Sequence, residues 1–486
     1  MELNEQLLHI SQSLGGITPE IFLTVLFCLV LTVELIFIKN PDSGKITTIL
    51  HNICFLGALI SLYLVINQWN QEPGFKFRPL LFLDHQAVFF KILINVAWLF
   101  ALLHVRLLRY KFPPEFNAIL IVTVIGLQLL VMATHLLSIY LSVELISISS
   151  YLLVALSPKR KAAEGSIKYL LFGAASSAVM LYGISFVYGL TGTLDITEAA
   201  MYSGLLHNSP FVIGATVVLV LSGLLFKLSL VPFHVWAPDV YEASPTPLVS
   251  FLSVAPKAAV ILVVIRLAGA LPEIYFPILG GIALISITIG NISALWQTNA
   301  RRLLAYSSIA QAGYLLVGIT TFSRFGFEAT VFYASSYLLI NMAAFFLIDL
   351  LNPQSETELK EYHGLGSKHI WVSGILTVVM IALAGLPPTV GFTAKLFVFS
   401  ALWEGYLKGE ANWMLWLLVG GILNAAIALA YYLRLPYLLF FKSSESGVLL
   451  PDRTSLVAKG VSALLLIIII ALFIKPEWLM NWIYAF

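Results

Sequence analysis

Apolar runs of about 20 residues follow one another along this chain, each long enough to cross roughly 30 Å of hydrocarbon. Inside hydrocarbon every backbone N–H and C=O needs a partner within the protein, so runs of this kind fold as helices. The residues are 59% hydrophobic and only 11% charged, with mean hydropathy +0.93, whereas a soluble domain carries about a quarter charged residues. The sequence therefore predicts an all-α polytopic membrane protein, with the lipid bilayer as its surroundings. Tyr and Trp near segment ends fit anchoring at the two interfaces. Net charge is +2 with no basic block, which argues against nucleic acid as a partner. The loops are short and leave no room for a soluble catalytic domain.

With Pro, Gly and charge as punctuation, spans fall near 17–38, 46–66, 86–107, 116–133 and 135–156. Others fall near 163–190, 211–233, 246–270, 274–296 and 301–322, then 327–351, 369–402, 413–441 and 456–474, about fourteen in all. Loops after odd-numbered spans hold Lys39 and Lys45; Arg106, Arg109 and Lys111; Lys159, Arg160 and Lys161; Arg301 and Arg302; Lys360 and Lys368; and Lys442, Arg453 and Lys459. The positive-inside rule then puts both termini on the non-cytoplasmic side. "MELNEQLLHISQSLGG" lacks a basic n-region and a small-residue cleavage site, so it does not read as a removable signal peptide. Cys28 and Cys54 form no CxxC or Cys/His cluster and read as small buried residues, with no haem or iron–sulfur ligation visible.

Two stretches echo each other. "ELISISSYLLVAL" (144–156) lies over "SSIAQAGYLLVGI" (307–319) at an offset of 163 residues. Each carries a polar stripe at helical spacing: Tyr140, Glu144, Ser147 and Tyr151 in one, Ser307, Gln311 and Tyr314 in the other. Likewise "LVPFHVW" (230–236) resembles "LPPTVGF" (386–392), both interrupting an apolar segment with proline. Paired broken helices point to a transport site.

Charges inside spans are costly and mark function. "GLLFKLSLVPFHVW" (223–236) places Lys227 just before a proline break. Glu144, in the middle of its span, is the candidate partner for that lysine. Lys257 follows Pro256 in the eighth span and Lys395 follows the second break; for each, snorkelling to an interface is the plain alternative. A break inside the bundle frees backbone groups that only a wet or protein-lined interior satisfies, so lysine and proline are tolerated together there. His234, Tyr306, Ser307, Gln311, Tyr333, Ser336, Tyr337 and Asn341 fit a polar chain, although each also suits ordinary helix–helix bonding. Lys168 either extends the Glu144 network or anchors at the interface. Lys91 and Asp84, seven residues apart on one face, read as a local salt bridge.

"AAEGSIKYLLFGAASSAVMLYGISFVYGLTGT" (162–193), "FKLSLVPFHVWAPDVYEASPTPLVSFLSVAPKAA" (226–259), "RRLLAYSSIAQAGYLLVGI" (301–319) and "LAGLPPTVGFTAKLFVF" (383–399) together resemble the N-type antiporter-like subunit of respiratory complex I, the NADH-quinone oxidoreductase. Its mitochondrial equivalent is subunit 2, and a photosynthetic counterpart exists. The resemblance is strong over roughly 110–440 and extends to the whole chain by topology. "PDVYEASPTP" is its specific part: the M-type subunit and stand-alone multisubunit cation/proton antiporters read differently there. The chain is also shorter than L-type subunits, which carry a long lateral helix.

The resemblance implies fourteen helices containing two inverted five-helix repeats, each with a Pro-broken helix. The corresponding divisions are 1–110 (spans 1–3), 111–270 (first repeat, spans 4–8), 271–441 (second repeat, spans 9–13) and 442–486 (span 14). Glu144, Lys227, Lys257 and Lys395 match the family's proton-translocating positions, and Lys395 favours N-type over M-type, where a glutamate stands. Lys168, His234, Gln311, Tyr306 and Tyr333 are the further relay candidates. Gln311 departs from the family, where many relatives have histidine in "SSIAHAGY". The implied function is a proton-translocating subunit without a redox site of its own in a bacterial inner membrane or a thylakoid. No cofactor or metal is expected on this chain; flavin, iron–sulfur clusters and quinone are expected in partner subunits. Expected partners are an M-type neighbour and the small A-, J- and K-type membrane subunits. Two other readings stand beside it: a stand-alone cation/proton antiporter component, and a spacer in complex I that transmits force without moving protons.

Overall fold

The computed structural model describes residues 3–37, 43–352, 358–409, 411–443 and 455–485; Lys39 and Arg453 of the cationic loops lie outside them. After a first helix at Leu3–Gly16, the bundle is built from α1 (Thr18–Phe37), α2 (Ser43–Gln68), α3 (His85–Leu107), α4 (Glu115–Met132), α5 (Leu136–Ala155) and α6 (Arg160–Thr191). The chain continues as α7a (Pro210–Leu228) and α7b (Trp236–Ala243), α8a (Thr246–Leu252) and α8b (Ala255–Ala270), α9 (Phe276–Leu295), α10 (Ala300–Ile319) and α11 (Arg324–Leu351). It closes with α12a (Ile370–Ala384) and α12b (Val390–Gly409), α13 (Asn412–Phe441) and α14 (Leu456–Ile474).

Among the described residues, 12 helices are long and apolar enough to cross a membrane, taking α8a and α8b as one. Two of the expected spans fall short for physical reasons. Helix α10 carries Arg301, Arg302, Ser307, Ser308 and Gln311, polar residues it can hold because it is buried in protein almost throughout. The second is α12, divided into two shorter pieces. Helix α8 is wholly buried and α11 nearly so, whereas α13 and α14 show most of their surface to the outside. The polar residues thus sit on the innermost helices, and the apolar ones clothe them.

Lipid tails are as apolar as leucine, so these helices associate through close packing and polar ties. Among the described residues, α9 and α10 share the most extensive helix–helix contact. A Cβ at Gly290 would meet the Ala310 nitrogen at 2.7 Å, and one at Gly313 would meet the Ala283 carbonyl at 2.8 Å. Only glycine lets the two backbones approach so far.

The prediction of an all-α chain needs one small correction. Strands β1 (Gly74–Lys76) and β2 (Leu81–Leu83) form an antiparallel hairpin between α2 and α3. Phe75 and Phe82 face each other across it, ring centroids 4.9 Å apart. The Leu80 carbonyl accepts from the Thr134 amide, tying the hairpin to the α4–α5 turn. A break in α8, at Ser253 and Val254 before Pro256, also lay outside the sequence expectation of one continuous span.

The expected Lys91–Asp84 salt bridge does not form. Seven residues of helix separate the two by about 10 Å along the axis, and each has a nearer partner. Lys91 Nζ lies 2.6 Å from Glu20 on α1 and donates to Gln68 Oε1 on α2 at 3.0 Å, with Lys91 and Glu20 both buried. Asp84 caps α3 through the Ala87 amide at 2.7 Å and pairs with Arg266 of α8b at 2.7 Å. Of the two cysteines, Cys54 is buried as expected, but Cys28 is exposed on α1. Lys91→Ala strands Glu20 in the interior and is expected to cost about 3–5 kcal/mol. The apolar double substitution Glu20→Leu/Lys91→Met costs far less, as thermal unfolding in detergent will read.

Candidate functional site

The two broken helices end their first halves alike. Helix α7a stops at Ser229 in the left-handed conformation (φ 61°), and α12a stops at Gly385 (φ 84°). Each break releases carbonyls from the helical ladder, and protein groups take most of them. The Phe226 carbonyl accepts from Trp236 Nε1 at 3.2 Å, and the Val231 amide donates to Ser286 Oγ at 3.0 Å. At the second break the Ala384 carbonyl accepts from Lys395 Nζ at 2.7 Å, and the Leu383 carbonyl accepts from Gln311 Nε2 at 3.0 Å. Lys395 is buried, with Nζ 4.9 Å from the Tyr314 ring centroid.

From that break a chain of polar groups runs inward. Gln311 Nε2 donates to Tyr432 Oη at 3.0 Å, and its Oε1 accepts from the Tyr333 hydroxyl. The Tyr432 hydroxyl is bonded in turn to Ser307. The next residue, Ser308, accepts from Lys257 Nζ at 2.6 Å at its hydroxyl and at 2.7 Å at its carbonyl. Tyr337 Oη also donates to Ser308 Oγ, at 2.8 Å. Lys257 and Lys395 thus stand at the two ends of one buried seam built from α8b, α10, α11, α12 and α13, hydrogen-bonded in two stretches that meet where Ser307 adjoins Ser308. Neither snorkels to an interface; both are buried.

Lys227 lives in a different setting. Its Nζ is buried without a hydrogen-bond partner and lies 5.4 Å from the Tyr169 centroid, 5.6 Å from Tyr151 and 5.9 Å from Phe226. Aromatic faces carry partial negative charge and hold a cation there. Glu144, the candidate partner, makes no ion pair with it within 4 Å. That carboxylate is half-buried on the outer side of α5, one Oε1 buried without a partner, between exposed Leu141 and Ile148. Between Lys227 and Lys257 stand Tyr169 and Trp236, stacked at 4.0 Å, and then Tyr241. No hydrogen-bonded chain crosses that aromatic layer among the described residues.

The remaining candidates divide. Tyr333 and Gln311 belong to the seam. Tyr306 is half-buried and outside it, and His234 sits in the α7 break with Nδ1 unpartnered. Lys168 anchors a separate ion cluster: it lies 2.8 Å from Asp239 and 2.8 Å from Glu164. Arg302 completes that cluster, at 2.7 Å from Asp239 and 2.9 Å from Glu242. Asp239 and Glu242 are the acids of "PDVYEASPTP", a run the sequence flagged as specific without assigning its side chains. Ser308 and Tyr432 were missed as seam members. Ser308 hides in a serine pair, and Tyr432 in "LAYYLRLP" has no helical-spacing partner to betray it.

A family model described as NADH:quinone oxidoreductase/Mrp antiporter, TM, matches residues 133–424. NADH-quinone oxidoreductase subunit N 2 of Chloroherpeton thalassium is 36% identical over 98% of this chain and 95% of that protein. The chain belongs to the NADH-quinone oxidoreductase subunit N family. It is an integral membrane protein of many apolar helices. A chain in the structure of respiratory complex I from Thermus thermophilus superposes with a TM-score of 0.77, at 28% identity, covering 95% of this chain and 98% of that one. A chain of the Mrp complex from Dietzia sp. DQ12-45-1b shares the fold with a TM-score of 0.77 at 18% identity, over 97% and 96%.

Within this family member Gln311 is the hinge of the seam, since it joins Tyr333, Tyr432 and the freed Leu383 carbonyl. Gln311→Leu strands the Tyr333 hydroxyl, at about 1–3 kcal/mol, while Tyr432 keeps Ser307 and the Leu383 carbonyl keeps Lys395. Gln311→His keeps a ring nitrogen there and is expected to cost less. Thermal unfolding of the two variants side by side checks the order.

Proposed function

We propose that this chain is a proton-translocating membrane subunit, without a redox site of its own, of an oxidoreductase that passes electrons from NADH or a related donor to quinone. The observation that carries the proposal is the buried seam from Lys257 to Lys395, a row of donors and acceptors with a titratable amine at each end. A proton moves along such a row by making and breaking O–H and N–H bonds, with internal water carrying the step between Ser307 and Ser308. Quinone reduction, with its flavin and iron–sulfur centres, is assigned to partner subunits.

In this proposal the fold comprises fourteen helices arranged as two inverted five-helix repeats, 111–270 and 271–441, flanked by 1–110 and 442–486. Matched features support it. His135 caps α5 and Asn299 caps α10, each through its side chain. Gly126 meets Ile146 in the α4–α5 hairpin, as Gly290 meets Ala310 in α9–α10. Left-handed Ser229 and Gly385 end α7a and α12a.

Glu144 receives the energy. Its carboxylate lies in a stripe with exposed Leu137, Leu141, Ile148 and Leu152, where bare lipid would leave it unsolvated. A neighbouring membrane subunit of the complex covers that stripe, the M-type subunit or one of the small A-, J- and K-type subunits. When that neighbour shifts the charge at Glu144, the field at Lys227 changes and the lysine releases its proton. Wetting of the Tyr169–Trp236–Tyr241 layer then lets the proton reach Lys257 and the seam to Lys395. Moving one charge against 100 mV takes about 2.3 kcal/mol, a modest demand for a charge moved this close to a buried amine. The cationic loops support termini on the non-cytoplasmic side, and the proposed membrane is a bacterial inner membrane or a thylakoid.

Glu144→Ala and Lys395→Ala are expected to lower the protons pumped per NADH oxidised while the complex still assembles. Normal pumping in both would refute the proposal. Failure of the chain to co-purify with NADH dehydrogenase activity would favour a stand-alone antiporter instead.

A further inference from the structure

A second buried titratable group lies away from the seam, between the first three helices and the second half of the bundle. His104 of α3 places Nε2 2.9 Å from Oδ2 of Asp349 near the end of α11, and both side chains are almost wholly buried. Tyr110 donates its hydroxyl to the same carboxylate, 2.8 Å from each oxygen. No lysine or arginine lies within 4 Å of Asp349 among the described residues. Arg301, which donates to the Ser244 carbonyl at 2.6 Å, acts on neighbouring Tyr110 and Tyr362 at longer range. Tyr362 itself donates to the Ile348 carbonyl at 3.1 Å.

Two observations give this couple a direction. On one side Tyr110 lines an open cavity of about 650 Å³, together with His51, Asn52, Arg106, Arg109 and Asn117. This is the end of the bundle that carries the cationic loops. On the other side, the helices between this couple and the seam hold buried polar atoms without protein partners: His104 Nδ1 on α3, Ser250 Oγ on α8a and Asn341 Oδ1 on α11. Helix α8a, which carries Ser250, packs against both α3 and α11. Asn341 Nδ2 donates to Ser253 Oγ at 2.7 Å, in the α8 break four residues before Lys257. Along α11 the residues Tyr333, Tyr337 and Asn341 recur every four positions, with Asp349 two further steps on. Buried polar atoms without protein partners are the ones internal water bonds.

We propose that Asp349 and His104, reached from the cavity through Tyr110, form a proton-uptake branch that feeds the Lys257 end of the seam; the proposal rests on the function given above. Tyr110 passes its hydroxyl proton to Asp349 and takes one from water in the cavity. Asp349 passes a proton to His104 Nε2, and the ring releases one at Nδ1 toward the Ser250–Asn341 region and Lys257. One proton enters for each that leaves, and no other bond changes. Tying α3 to α11 is the purely structural use of the same contacts, and it needs neither a titrating carboxylate nor the open cavity.

The test uses the intact membrane complex in liposomes, reading protons pumped per NADH oxidised across a pH series. Asp349→Asn, which keeps the shape but not the titration, is expected to lower the ratio by about a factor of two or more, with Asp349→Glu restoring it. Tyr110→Phe is expected to lower it and shift its pH profile. Normal ratios in Asp349→Asn and Tyr110→Phe, beside a lowered ratio in Lys257→Ala, overturn the branch alone. Normal ratios in all three overturn the seam as well. If Asp349→Asn does not assemble, Tyr110→Phe decides: an unchanged ratio and profile overturn the branch.

Discussion

Everything in this molecule turns on the cost of an unpaired polar group where no bulk water reaches. A helix break inside a bilayer would be ruinous if its carbonyls faced lipid. Here the break in α12 is closed by side chains: Lys395 takes the Ala384 carbonyl and Gln311 takes the Leu383 carbonyl. The same exchange satisfies the lysine, whose amine would otherwise be a bare cation in a low dielectric. Break and charge are thus mutual solutions. The arrangement also explains why α10 is so polar, since it must supply partners to helices on several sides.

The two lysine environments are not equivalent, and the difference is physical. Lys257 and Lys395 are held by directional hydrogen bonds, which fix an amine in place and connect it to neighbours. Lys227 is held by aromatic faces, which stabilise a cation without offering a path away from it. A group held in the second way has no hydrogen-bonded route into the adjoining seam until water enters between the rings. While dry, the aromatic layer of Tyr169, Trp236 and Tyr241 therefore insulates.

Much of the architecture was legible because hydropathy at this scale is a strong signal. The break positions followed from Pro232 and from Pro387 and Pro388, and of the charges that stood out as costly Lys227, Lys257 and Lys395 are buried while Glu144 is half-buried. Pairing was less legible. Lys91 looked matched to Asp84 by spacing along one helix, yet its carboxylate comes from Glu20 on another, and periodicity carries no information about a neighbouring helix. Glu144 and Lys227 show the same limit: two intramembrane charges of opposite sign invite a contact pair, but one lies on the outer stripe of α5 and the other among rings, so they act on each other only at longer range. Ser308 and Tyr432 escaped notice because serine and tyrosine are common at helix contacts. His104 and Asp349, 245 residues apart, could be joined only by the fold.

The glycine-locked contact of α9 and α10 bears on how the chain enters the membrane. Helix α10 alone is a poor passenger for a lipid bilayer, with Arg301 and Arg302 at its start and Gln311 at its centre. Helix α9 is apolar and arrives first, presenting Gly290 as a seat for its successor. The two are thus suited to leave the insertion machinery as one hairpin, with the second helix sheltered by the first until α8 and α11 enclose it. Biogenesis and proton chemistry would then constrain the same surface of α10, one asking for tolerance by lipid and the other for polarity.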